Sequence, residues 1–119
     1  PTSRDHIHAK PEDIAKILER FPSLRLCAAH FGCAVHHEEE LKHLCGKNIW
    51  FDTSFPALGA SAPGVKKLLE NHDPDKIMFG SDMPWESPAE AAAFLDELEL
   101  DDKQKRKIFG ENAEHFLQL

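Results

Sequence analysis

Three short apolar runs, Leu24-Arg25-Leu26-Cys27-Ala28-Ala29, Ile49-Trp50-Phe51 and Lys76-Ile77-Met78-Phe79, are kept apart by amphipathic stretches, and this alternation constrains the fold most. Runs of this length bounded by turn residues read as buried strands. The stretches between them carry helix signals. Lys10-Pro11-Glu12-Asp13 places proline at the first helical position and two acids in the first turn, and Ile14, Ile17, Leu18 and Phe21 form one apolar stripe until Pro22. His36 through Leu44 reads as a second helix stopped by Gly46, and a Pro/Gly/Ala/Ser loop over 56–64 precedes a helix carrying Val65, Leu68 and Leu69. Asp73-Pro74-Asp75 is a turn. Ser87-Pro88-Ala89-Glu90 predicts a capping box opening a helix to about Leu98. Asp101 caps another helix expected to stop at Gly110, and Asn112 starts a last short one with Phe116 and Leu117.

Helix and strand in strict alternation predict an α/β fold with parallel strands joined by right-handed crossovers. Three parallel strands alone leave two edges of unpaired backbone, and parallel sheets are normally buried on both faces. The expectation is a segment of a larger sheet, or a sheet completed by another chain, with self-association through the open edges as one route. The chain has 119 residues and begins at Pro1 rather than methionine, which adds to the expectation of a piece of something longer.

Composition narrows the partners. Lysine plus arginine number 14 against 21 aspartate plus glutamate, a formal charge of −7, so a phosphate backbone is a poor match and nucleic acid is not expected. No apolar run approaches a membrane span, so no membrane partner is expected either. The three cysteines, Cys27, Cys33 and Cys45, are odd in number and lack CxxC spacing, which favours a reducing, cytoplasmic setting over a disulfide framework.

Each strand run finishes in a residue capable of chemistry: His30 after the first, Asp52 with Thr53 and Ser54 after the second, Asp82 after the third. A (β/α)₈ barrel builds its site in this way, and a doubly wound sheet follows a related rule. No Gly-rich GxGxxG turn or phosphate loop is present, which lowers the nucleotide-binding version. Imidazole and carboxylate suit a divalent ion such as zinc, although a catalytic site needs about three protein ligands and only two are in view. Plainer readings stand beside these: His30 as a buried histidine bonded to a loop, Asp82 as a loop cap, and Asp52 as an acceptor for loop backbone groups. His6-Ile7-His8 follows no apolar strand and reads as loop histidines, with His8, nearer the helix, facing a small-molecule substrate. His36 and His37 beside Glu38, Glu39 and Glu40 read as a solvated helix start, and His43 and His72 as surface residues. Cys27 reads as core filler, Cys33 as a loop residue near His30, and Trp85 as a wall of the site mouth.

The run Leu26 to Gly32, the run Ile49 to Phe55, and Ile77-Met78-Phe79-Gly80-Ser81-Asp82-Met83-Pro84-Trp85 together resemble the last three strand motifs of the amidohydrolase-related metal-dependent hydrolases. The closing Gly110-Glu111-Asn112-Ala113-Glu114-His115-Phe116-Leu117 is similar to that family's C-terminal helix. The resemblance implies a partial TIM (β/α)₈ barrel, with this chain supplying strands six to eight of about 250 residues. It further implies that His30 is a metal ligand or polarises the substrate, and that Asp82 ligates the metal and handles the proton of an attacking water. The family's other ligands, an HxH pair on the first strand and a histidine or lysine on the fourth or fifth, have no counterpart here. Hydrolysis at a carbonyl-type carbon is the leading expectation. Decarboxylation on the same site, and a non-catalytic half-barrel, are its rivals.

Overall fold

The computed structural model describes residues 9–33, 37–54 and 61–119. His6, Ile7, His8, His36 and Phe55 lie outside them, and of Cys33 and His37 only the backbone is described. The order is α1 (Pro11–Arg20), β1 (Cys27–Ala28), α2 (His37–His43), β2 (Trp50–Asp52), α3 (Ala62–Glu70), a 3₁₀ turn (Pro74–Lys76), β3 (Ile77–Met78), α4 (Pro88–Asp96), α5 (Asp102–Arg106), a π turn (Lys107–Glu111) and α6 (Asn112–Leu117). The strands form one parallel sheet, ordered β1-β2-β3, in which Cys27 pairs with Trp50, Ala28 with Phe51, Phe51 with Ile77 and Asp52 with Met78. This is the architecture of a partial barrel: parallel strands in sequence order, each followed by helical chain.

Capping chemistry set the helix starts. Ser87 Oγ accepts from Glu90 N at 3.1 Å while Glu90 Oε2 accepts from Ser87 N at 3.2 Å, the reciprocal box the sequence predicts. Asp101 and Gln104 repeat it for α5. Helix α3 begins earlier than expected. Ser61 accepts from Gly64 N at 3.2 Å, so the end of the expected loop is the first turn of the helix.

A larger departure is at the C-terminus, where two helices separated at Gly110 were expected. Helix α5, the π turn and α6 instead follow one another without a break, because Asn112 N–H reaches back to Lys107 O. That reach skips the Ile108 carbonyl, which accepts from Phe79 N at 2.8 Å. Met78 faces β2, since Thr53 N donates to its carbonyl at 2.9 Å, so Ile77 and Phe79 turn their backbone groups to the outer side of β3. There the buried Asn112 donates through Nδ2 to Ile77 O at 2.9 Å and to Pro74 O at 2.8 Å.

The core gathers Phe31, Leu44, Ile49, Phe51, Val65, Leu68, Ile77, Leu95, Leu98 and Ile108, with α1, α2 and α3 side by side over one face of the sheet. Phe51 meets Phe31 with ring centroids 5.5 Å apart. On the opposite face Trp50 packs edge-on against Phe116 of α6 at 5.3 Å, and Arg25 lies over the same ring at 4.9 Å. His72, expected at the surface, is buried against the Phe51 ring at 4.6 Å.

Candidate functional site

The chain leaves β1 through three consecutive left-handed residues, His30 (φ 56), Phe31 (φ 51) and Gly32 (φ 80). Histidine tolerates this region better than most side chains, whereas a phenylalanine there is an outlier. Phe31 is held by complete burial in the core. After β3, Asp82 is also left-handed (φ 63), a conformation aspartate adopts more readily than most. Strained backbone is concentrated where the two strand ends present their chemical side chains.

These turns bring His30 Nε2 within 3.9 Å of Asp82 Oδ2, too far for a hydrogen bond. Both side chains remain partly open, at 29% and 40% exposure, so a small group or ion can reach between them. The other ring nitrogen, Nδ1, contacts the Ser54 carbonyl oxygen and lies 3.0 Å from Ser54 Oγ. Asp52 projects one carboxylate oxygen into the same cluster. Its Oδ1 accepts from His30 N at 3.0 Å, from Ser54 N at 3.0 Å and from the Ser54 hydroxyl. Thr53 joins the ends of β2 and β3, because Gly80 N donates to its Oγ1 at 3.2 Å. A Cβ on Gly80 would meet Ser54 Cβ at 3.3 Å and the Asp52 side chain at 3.4 Å, so the chain after β2 and the chain after β3 meet without room to spare.

Serine, histidine and aspartate in sequence invite comparison with a nucleophilic triad. Ser54 is 5% exposed and its hydroxyl hydrogen is committed to Asp52, so no substrate carbon can reach its oxygen. The open groups are His30 Nε2 and the Asp82 carboxylate. They suit a cation: donor atoms about 2.0–2.2 Å from a tetrahedral ion stand about 3.4 Å apart. The observed 3.9 Å closes to that value with a slight turn of the exposed Asp82 side chain. Among the described residues no group of three or more His, Cys, Asp or Glu side chains converges; His30 and Asp82 are the two that could hold an ion here.

Of the other expected site residues, Asp52 turns the described oxygen to the loops, and Trp85 stands 74% exposed beside Met83 at 71%, an apolar rim next to Asp82. Trp85 N donates to Asp82 O at 2.9 Å, closing the turn that contains the cis Met83-Pro84 bond. His8 lies outside the described residues. Sequence reasoning passed over Glu86. Its Oε2 is buried without a partner, and burial first, then Glu90 and Asp82, push its carboxyl above the usual range. Burial, then the Asp52 carboxylate, raise the Cys27 thiol to about 11, which leaves it unreactive.

A parallel sheet in sequential order, with histidine and aspartate meeting beyond its carboxyl ends, defines a portion of a (β/α)₈ barrel. The chain belongs to the amidohydrolase family, whose profile, described as Amidohydrolase, matches residues 3–119. The curated relative Decarboxylase orsB of Emericella nidulans is 26% identical over 127 residues, covering 88% of this chain and 38% of its own. A zinc-bound amidohydrolase from Burkholderia multivorans superposes with a TM-score of 0.75 at 18% identity, over 92% of this chain and 49% of that one. A dihydroxybenzoic acid decarboxylase from Polaromonas, solved with manganese and 2-nitroresorcinol, gives 0.65 at 17% identity, over 88% and 37%. The chain thus spans less than half the length of each of these relatives.

Proposed function

We propose that this chain supplies His30 and Asp82 to a divalent-metal site of an amidohydrolase-type barrel that hydrolyses a small molecule at a carbonyl-type carbon. The observation that carries the reading is the 3.9 Å approach of His30 Nε2 and Asp82 Oδ2 beyond the carboxyl ends of β1 and β3. His30 and Asp82 would hold the ion, zinc or manganese by the precedent of the solved relatives. When bound, such an ion polarises the carbonyl and lowers the pKa of water toward neutrality. The residues of this chain do the rest. Asp82, open on its Oδ2 side, takes the proton of the attacking water and returns it to the leaving group. His30 holds its ring in place through Ser54 and directs Nε2 inward. Trp85 and Met83 flank the site with apolar surface and keep water from its margin. A reducing, cytoplasmic setting, expected from three cysteines without CxxC spacing, belongs to the same reading.

A second reading is favoured by the curated relative and by the Polaromonas enzyme, both decarboxylases. Loss of CO₂ from an aromatic acid replaces a C–C bond by C–H, so a proton must reach that carbon, and in this reading Asp82 delivers it. Zinc and manganese titrations of the chain followed by calorimetry test the shared part of both readings. The expected result is one binding event, lost in His30→Ala and in Asp82→Asn. Undiminished binding in both variants would overturn the assignment. In the complete barrel Asp82→Asn is expected to lower kcat at least 100-fold. Product analysis with an ester or lactone against a dihydroxybenzoate separates hydrolysis from decarboxylation.

A further inference from the structure

The geometry points to Asp52 and Ser54 as positioning residues that fix the tautomer of His30, so that Nε2 always carries the free lone pair toward Asp82. The inference rests on the reading of His30 as a site residue. An ionised carboxylate only accepts. Asp52 Oδ1 therefore takes the Ser54 hydroxyl hydrogen as well as the amides of Ser54 and His30. With its single hydrogen committed, Ser54 Oγ offers His30 Nδ1 only lone pairs at 3.0 Å. The other neighbour of Nδ1 is the Ser54 carbonyl oxygen, which has no hydrogen to give. Among the described residues both neighbours of Nδ1 are acceptors, so Nδ1 is the protonated nitrogen and Nε2 the bare one.

Polarity is thus passed from Asp52 through Ser54 to His30, and the bare nitrogen is the one that faces Asp82. The opposite tautomer is the one free histidine favours in water, so the arrangement does something that solvent would not. It would set two neighbouring acceptors against an unprotonated Nδ1 and turn an N–H at the place where a cation or a proton must be received. An orienting partner on the far nitrogen is what keeps a ligating imidazole basic and correctly turned. Asp52 accordingly acts through His30, not by touching substrate.

The test is ¹⁵N-detected NMR of the 119-residue chain, labelled at histidine, in mildly alkaline buffer. The expected spectrum shows pyrrole-type Nδ1 and pyridine-type Nε2 for His30. Asp52→Ala is expected to move the ring toward the opposite tautomer and to weaken zinc binding about 10–100-fold. Asp52→Asn, which still presents an oxygen, is expected to retain most of the wild-type pattern. Ser54→Ala keeps the carbonyl and is expected to fall between them. A pyridine-type Nδ1 in the wild-type chain would overturn the inference without any variant having to fold. A correct tautomer in a chain that binds no zinc would instead count against the metal reading and leave the inference standing.

Discussion

A protonated imidazole at position 72 would have no acceptor for its second N–H, because Gly46 N already donates to Nδ1 at 3.1 Å and Ile49 O pairs with Nε2 at 2.9 Å. Burial lowers the pKa of His72 from 6.5; its bond to the Ile49 carbonyl and the charge of Asp73 oppose this, and Lys76 adds a little to it. The unfolded chain therefore binds the proton first. Stability is at its full value above about pH 6.5 and is lost as pH falls from there through the lower folded value. Urea midpoints measured from pH 8 to pH 5 are expected to fall in the acid half of the range, and His72→Gln to flatten part of that fall. A variant with an unchanged profile would assign the loss to other groups. The sequence could not place His72 inside, because its two backbone partners lie 23 and 26 residues away. His30 and Asp82 were readable, since each simply follows an apolar run. The direction of Asp52 was not, because it depends on a backbone turn whose partners come from two different loops.

At the scale of elements, chemistry contained within one turn of chain was read correctly. Ser87 with Glu90, Asp101, and the left-handed Gly46 after α2 all behave as their spacing predicts. Elements defined by tertiary contacts were not: the strands shrank to two or three residues, and the chain ran through Gly110 because Phe79 takes the carbonyl that the π turn releases. Two glycines with the same φ of +80 make a contrast that can be measured. A Cβ on Gly32 would stand 2.6 Å from Leu44 Cδ1 and 3.4 Å from Phe51 Cε1, whereas one on Gly46 meets nothing within 4 Å. Gly46→Ala is expected to cost about 1 kcal/mol from backbone strain alone. Gly32→Ala should cost that and about 1–3 kcal/mol more, as Leu44 is forced out of its place. Equal losses in chemical denaturation would mean that the turn after β1 yields more easily than its packing implies.

For the molecule as a whole, the two flanks of the sheet are not equivalent. Among the described residues nothing bonds to the Cys27 backbone on the outer side of β1, whereas beyond β3 the Ile77 carbonyl and the Phe79 amide are engaged by Asn112 and Ile108. Asn112→Ala strips the side-chain donor from Ile77 and Pro74 and is expected to cost about 1–3 kcal/mol. It is also expected to shift the chain toward larger species in size-exclusion with light scattering. A variant that is destabilised but unchanged in size would confine Asn112 to stability. The wider consequence concerns growth. A subunit with both flanks bare can add copies head to tail into an endless ribbon, each addition leaving a fresh end. With β3 stoppered from within, any pairing through β1 would join two copies about a dyad and use up the one flank left bare among the described residues. The Asn112 amide, together with the Ile108 carbonyl, thus closes to pairing the flank that an endless ribbon would need.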